Sequence, residues 1–238
     1  MSAITGARRW RWLAIGMAVV AVLAVGGPFV YIHLVEGNAP KPLAVTSSSP
    51  GAQAGGPTSP AGSAAGIDGI WKAASGSQAG YRVDEVLFGQ NSVAVGRTSQ
   101  VSGQLTIQGS TVSAADLTVD LSSVQSDRTP RDNQFRGRIM DTATYPTASF
   151  KLASPIRLGS VPAQGATVSA KAAGQLTLRG TTRTVTTDLT ARRSGGSIQV
   201  SGEIPVTFSD WGIPNPSFGP VTTEDHGTIE YLVVFDHA

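Results

Sequence analysis

From Gly69 to the C-terminus, apolar and polar residues alternate in short runs separated by turn residues, the period-two pattern of half-buried strands. Val83, Val86 and Phe88 belong to the first run. Val101, Gly103, Leu105 and Ile107 alternate cleanly, as do Leu117, Val119 and Leu121. Phe150 with Leu152, Leu176 with Leu178, and Val185 with Leu189 continue the series. Ile198, Val200, Gly202, Ile204, Val206 and Phe208 make one long strand, and Ile229, Tyr231, Val233 and Phe235 make the last. Turns such as Arg179-Gly180 and Ser194-Gly195-Gly196 separate them, with glycine supplying positive φ. No βαβ rhythm is present, so the pattern predicts an all-β, antiparallel fold of about eight strands, a closed barrel or a sandwich. One face of each strand is wet and the other requires a dry interior.

The stretch Thr129–Phe150 breaks the alternation. It opens on Thr-Pro and carries Arg131, Asp132, Arg136 and Arg138. Phe135, Ile139 and Met140 follow at near-helical spacing. Tyr145-Pro146 forces an extended backbone and leads into the next strand. The stretch predicts a short helix and loop laid across one end of the β structure.

A second pattern precedes the domain. From Trp12 to Val35 no residue carries a full charge. As a helix these residues would span roughly 36 Å, enough to cross a bilayer core. Arg8, Arg9 and Arg11 stand before the run, which places residues 1–11 in the cytoplasm and everything after residue 36 outside. The run 12–35 is read as a transmembrane signal anchor, with Trp10, Trp12 and Tyr31 at the interfaces. A cleavable signal peptide is the rival, with Leu13–Val25 as its apolar region and Val22-Leu23-Ala24 as its cleavage pattern. Residues 36–66 are Ala, Gly, Pro, Ser and Thr with almost no charge, a composition that predicts a flexible linker before the domain at 67–238.

Composition narrows the chemistry. The chain has no cysteine, which excludes disulfides, thiolate metal sites, a cysteine nucleophile and a lipidated cysteine. The basic pI of about 9.1 does not indicate nucleic-acid binding. Arg8, Arg9, Arg11 and Lys41 against Glu36 put the excess charge outside the domain, which is itself nearly neutral. His33, His226 and His237 are the only histidines, and no pair has metal-ligand spacing. Nucleophile elbows, phosphate-cradling loops and Ser-x-x-Lys motifs are absent. The expectation is no catalytic residue, no metal and no cofactor.

Several marks, in order, resemble the YceI-like family. Trp71 precedes Ala79-Gly80-Tyr81-Arg82-Val83. Arg131 and Asp132 stand ahead of Phe135, and Tyr145-Pro146 ahead of Phe150. Gly174, Leu176, Thr177, Leu178, Gly180, Thr181 and Thr182 match the family's turn, and Trp211-Gly212-Ile213 its late aromatic corner. The resemblance covers about residues 69–236. It implies a lipocalin-like antiparallel barrel of eight strands whose apolar tunnel holds an isoprenoid-like lipid. The family's histidine after Arg-Asp is missing, with Asn133 and Gln134 in its place. An apparent membrane tether is a second departure from secreted members.

The candidate ligand-binding residues are Phe88, Arg131, Asp132, Phe135, Tyr145, Phe150 and Trp211. Each has a plain structural reading too. Arg131 and Asp132 either hold a polar head group at the mouth or pin the insert by an ion pair or helix-start hydrogen bond. Phe135, Tyr145 and Phe150 line a tunnel or fill a core, and Trp211 contacts ligand or plugs a corner. The expected function is a membrane-anchored, extracytoplasmic, non-catalytic lipid-binding protein with no nucleic-acid partner. A filled barrel serving as an envelope interaction module is the alternative, and an enzyme acting on a lipid is the third.

Overall fold

The computed structural model describes residue 17, residues 39–45 and residues 66–238. The basic N-terminus lies outside the described residues, as do the apolar run apart from Met17 and most of the expected linker. Among the described residues, no helix is long and apolar enough to cross a membrane.

Among the described residues, the alternating runs form an antiparallel sheet of thirteen strands. In chain order they are β1 (Gly69–Ala73), β2 (Gln78–Leu87), β3 (Gln90–Thr98), β4 (Val101–Gln108), β5 (Thr111–Asp120), β6 (Gln125–Ser126) and β7 (Thr147–Leu152). They continue as β8 (Ile156–Arg157), β9 (Thr167–Leu178), β10 (Thr181–Ser194), β11 (Ser197–Thr207), β12 (Val221–Thr223) and β13 (His226–His237). Helix α1 (Thr129–Gln134) continues as a wider π-type turn, Phe135–Ile139.

Eight of these strands close into a ring in the order β1-β4-β5-β7-β9-β10-β11-β13, because β1 pairs with both β4 and β13. Strand β13 is long enough to serve two neighbours. Its C-terminal end pairs with β1, and its N-terminal half pairs with the β2–β3 hairpin. Strand β6 extends the sheet beyond β3, and β12 pairs with β2. The barrel therefore has two unlike ends. The far end carries β1, and the other end, called the mouth, carries the β2–β3 turn and α1.

Hairpins form where the sequence places residues suited to a tight turn. Arg179 and Gly180 both have positive φ between β9 and β10, and the β2–β3 turn repeats that geometry with Phe88 and Gly89. The inward faces match the predicted alternation at Leu105 and Ile107, Leu176 and Leu178, Ile204 and Val206, and Val233 and Phe235, all buried. Two expectations fail in the first hairpin. Ala79, Tyr81, Val83, Glu85 and Leu87 share the inward phase of β2, whereas Val86 and Phe88 are exposed. Strand β3 was not distinguished as an element because its run is short and interrupted by Gly96.

The insert lies across the mouth as predicted. Pro130 in its first turn fits a helix start. Ser126 donates to the Asp132 carboxylate from its backbone nitrogen (2.8 Å) and its hydroxyl (2.6 Å), tying the helix to β6. Phe135 and Met140 then pack down onto Leu178, Val206, Phe208, Trp211 and Ile213. A second cluster around Trp71, Leu105, Ile107, Ile198, Val233 and Phe235 lies towards the far end. There the Trp71 indole nitrogen donates to the Ile67 carbonyl at 2.8 Å.

A candidate lipid bore and its mouth

The interior that these two clusters help to line is hollow. A chamber of about 180 Å³ lies towards the far end. It is lined by aliphatic side chains such as Leu105, Leu117, Leu176 and Val200, with Phe150 and Tyr231 in its wall and Arg192 and Arg193 at its rim. A larger chamber of about 520 Å³ lies under the mouth, lined by Tyr81, Val83, Leu121, Phe135, Met140, Phe208 and Phe218. Both chambers are bordered by Ala79, Val119, Ala148 and Ile229, which form a waist between them. Two glycines make room for rings in the walls. A Cβ at Gly96 would come within 2.4 Å of the Tyr81 ring, and one at Gly174 within 2.2 Å of Phe150. Eight strands leave an interior wide enough for a small ligand only where inward side chains stay modest, which this waist satisfies. Strand β9 has 12 residues, which at ~3.3 Å per residue and a ~40° tilt gives a wall about 30 Å tall. The space is deep, narrow and apolar.

Apart from Arg192 and Arg193 at the far rim, the charged residues that border the two chambers lie at the mouth. Glu85 faces inward from β2, buried, and its carboxylate accepts from the Arg131 guanidinium of α1 at 3.0 Å. Arg131 also pairs with Asp127. Burial opposes the Arg131 charge, but Glu85 and Asp127 outweigh it and hold its pKa above the ordinary arginine value. Tyr81 stacks on Phe135 with ring centroids 5.1 Å apart. Burial pushes the Tyr81 phenol well above its usual range. Arg131 works against that rise, and Asp132, Glu85 and Asp127 add to it. Burial likewise raises Tyr231, partly offset by its hydrogen bond to Thr187.

These two phenols predict alkaline sensitivity. In the unfolded chain they ionise near pH 10, and in the fold they do so only at higher pH. Their contribution to stability is present in full below about pH 10 and is lost as pH rises above it. Each adds a slope of up to about 1.4 kcal/mol per pH unit. Denaturant midpoints measured across this range should fall with pH, and Tyr81→Phe should flatten the fall. An unaltered slope in that variant would show that Tyr81 ionises as freely in the fold as outside it.

The profile of the YceI-like domain family matches residues 71–235, more than half of the chain. The chain belongs to the YceI-like family. No curated protein matches it. Among solved structures, a polyisoprenoid binding domain from Saccharophagus degradans implicated in plant cell wall breakdown is similar at a TM-score of 0.58 and 18% identity. That match covers 71% of this chain and 98% of the other. Burkholderia cenocepacia BcnA is similar at a TM-score of 0.50 and 24% identity, covering 65% of this chain and 95% of that one. A Campylobacter jejuni YCEI protein is similar at a TM-score of 0.50 and 16% identity, covering 60% and 84%. At these identities the likeness is one of fold.

The YceI-like marks distribute unevenly around the bore. Phe135 and Arg131 line the mouth chamber and Phe150 lines the far one. Phe88 stands at the lip, 54% exposed, and borders the mouth chamber. Asp132 is turned towards Ser126 and borders neither chamber. Tyr145 packs on the β9–β10 turn outside the bore, where a Cβ on Gly180 would come within 2.6 Å of its ring. Arg179 lies 5.9 Å from that ring. Trp211 is buried in the core cluster under Arg183 and also stays out of both chambers. In place of the family's histidine, Asn133 accepts from Arg136 at 3.1 Å and Gln134 from Arg138 at 3.1 Å. Both amide contacts lie within the insert itself.

Glu85 and Tyr81 were missed as mouth residues. The signal was present for Glu85, an acid in phase with Ala79, Tyr81, Val83 and Leu87 on an otherwise apolar face. Phe218, 63% exposed, was missed because its loop carries no periodicity.

Proposed function

We propose that this chain is a membrane-anchored, extracytoplasmic lipid-binding protein that holds an isoprenoid-like tail in its bore and performs no catalysis of its own. The observation that carries the reading is the hollow, apolar interior, with its two chambers meeting at a waist of small and branched side chains. A bore this deep and narrow suits a long, flexible hydrocarbon better than a compact polar metabolite. Each buried methylene contributes roughly 0.8 kcal/mol, so affinity needs few polar contacts. The Saccharophagus degradans domain of similar fold is described as polyisoprenoid binding, which supports the choice of tail. The acid at the mouth, Glu85, is committed to Arg131, and Tyr81 stays protonated, an arrangement suited to orienting a head group rather than to proton transfer. Anchoring and the extracytoplasmic side rest on the uncharged run 12–35 behind three arginines.

Native mass spectrometry of the full chain after mild extraction tests the proposal. The expected spectrum carries an added mass that tandem fragmentation assigns to an apolar lipid. A clean apo mass that persists after challenge with polyprenyl lipid would exclude lipid binding and favour an interaction module.

A further inference from the structure

Among the described residues, two large aromatic side chains at the mouth stand largely in solvent. Phe88 is 54% exposed and Phe218 is 63% exposed. Isolated exposed apolar residues are ordinary. These two sit on neighbouring loops joined by a hydrogen bond from the Phe88 nitrogen to the Pro220 carbonyl at 3.3 Å. Both also border the mouth chamber, so the apolar lip continues into the apolar bore. Phe88 has φ of 50°, a left-handed conformation that is a genuine outlier for a bulky side chain. Phe218 is held out by design of its surroundings: Arg138 donates to the Asn215 carbonyl at 2.9 Å and the Pro216 carbonyl at 3.0 Å, with its guanidinium 6.0 Å from the Phe218 ring. Rings beside an arginine suit the boundary between acyl chains and phosphates.

The N-terminal segment shows which way this lip faces. Residues 39–45 lie on the outer wall of the barrel. Glu230 on that wall is fully buried, accepting from Arg97 at 2.7 Å and Arg82 at 3.4 Å. The same arginines donate to the Lys41 and Pro40 carbonyls, and the Val45 nitrogen donates to the Ser201 hydroxyl at 3.3 Å. Arg82 is level with Thr228, while Ser201 is level with Leu232, four residues further from the mouth along β13. The segment therefore reaches the wall from the mouth side. Between Val35, where the apolar run ends, and Ala39 lie only residues 36–38. Covalent geometry limits that stretch to about 14 Å. Phe88 stands six residues beyond Arg82 along the hairpin, about 20 Å of strand and, at the same ~40° tilt, about 15 Å nearer the mouth.

We infer that the lip formed by Phe88 and Phe218 seats on the surface of the lipid bilayer that holds the apolar run, so that the bore opens into the membrane rather than into water. This rests on the lipid-binding and anchoring readings above. The contact is apolar in the main, because Arg131 of the insert is paired with Glu85 and Asp127. The absence of cysteine allows a single label per chain. Phe218→Cys and Val161→Cys chains, the second exposed in the loop before β9 at the far end, are labelled with a polarity-sensitive fluorophore. Each full-length chain is reconstituted into vesicles of phosphatidylcholine and phosphatidylglycerol. The expected result is blue-shifted emission at position 218, quenched several-fold more by shallow brominated lipid than at position 161. Equal, water-like emission from both labels on chains that float with the vesicles overturns the docking, while native mass spectrometry of the same sample reports separately on lipid binding. Chains that do not float overturn it together with the anchor. A blue shift at 218 without vesicles, with a dimer mass, replaces the bilayer with a second copy.

Discussion

An Ala148→Phe chain is expected to purify folded but without a bound lipid tail. Ala148 is buried on β7, and its methyl group borders both chambers at the waist. A phenyl ring there would occupy the passage between them. Adding atoms to a filled core typically costs 1–3 kcal/mol, but here the ring projects into free space and the cost should sit near the low end. The effect on ligand should be far larger. If the blocked waist keeps about six methylenes out of the far chamber, the loss is about 5 kcal/mol, or roughly 10³–10⁴ in affinity. Native mass spectrometry would show the apo mass, while a thermal melt stays within a few degrees of the parent. Full retention of lipid by this variant would mean that the tail never passes the waist. The far chamber would then be an empty defect in packing and the functional site would shrink to the mouth.

The second large effect is on stability. Arg131→Ala should destabilise the fold by up to about 3 kcal/mol, because it removes a guanidinium that pairs with the buried Glu85 carboxylate at 3.0 Å. Chemical denaturation would show a lower midpoint at unchanged slope. Arg131→Ala combined with Glu85→Leu should recover much of the loss, since replacing both members of a buried pair removes the buried carboxylate along with its guanidinium. Failure of the double variant to recover would show that Arg131 acts through Asp127 and the helix start instead. The double variant also separates the structural role of the pair from any role in ligand orientation. If it is stable and still carries lipid, the tail supplies the affinity. If it is stable and empty, the mouth charges hold the head group.

Much of the site was legible from single residues only when their side chains obeyed the strand period. Phe150 lies in phase with Leu152 and faces the bore, and Phe135 lies in phase with Ile139 on the helix. Tyr145 and Trp211 were equally aromatic and equally placed in family marks, yet both left the bore. They sit at a corner and in a short helical turn, where no local period says which way a ring will point. Asp132 next to Arg131 turned towards a serine on β6, because adjacent residues on a helix do not face the same way. Glu85 was hidden for another reason. Its inward phase is visible only once Val86 and Phe88 are assigned to the opposite face.

The amino-acid pattern alone determined the antiparallel all-β character, the positions of most long strands along the chain and the helical insert across one end. Those features depend on period-two burial, turn residues and Pro130, all of which act within a few positions of the chain. Tertiary structure decided that the ring closes through β1 and β13, that the interior stays hollow, and that Arg131 meets Glu85 and Arg97 meets Glu230. It also placed residues 39–45 on the wall at Arg82, Arg97 and Ser201, where composition had implied only a spacer. Each of these contacts joins residues far apart in sequence. Barrel curvature and register decide which inward side chains meet and which leave space between them, and neither quantity is encoded in any single strand.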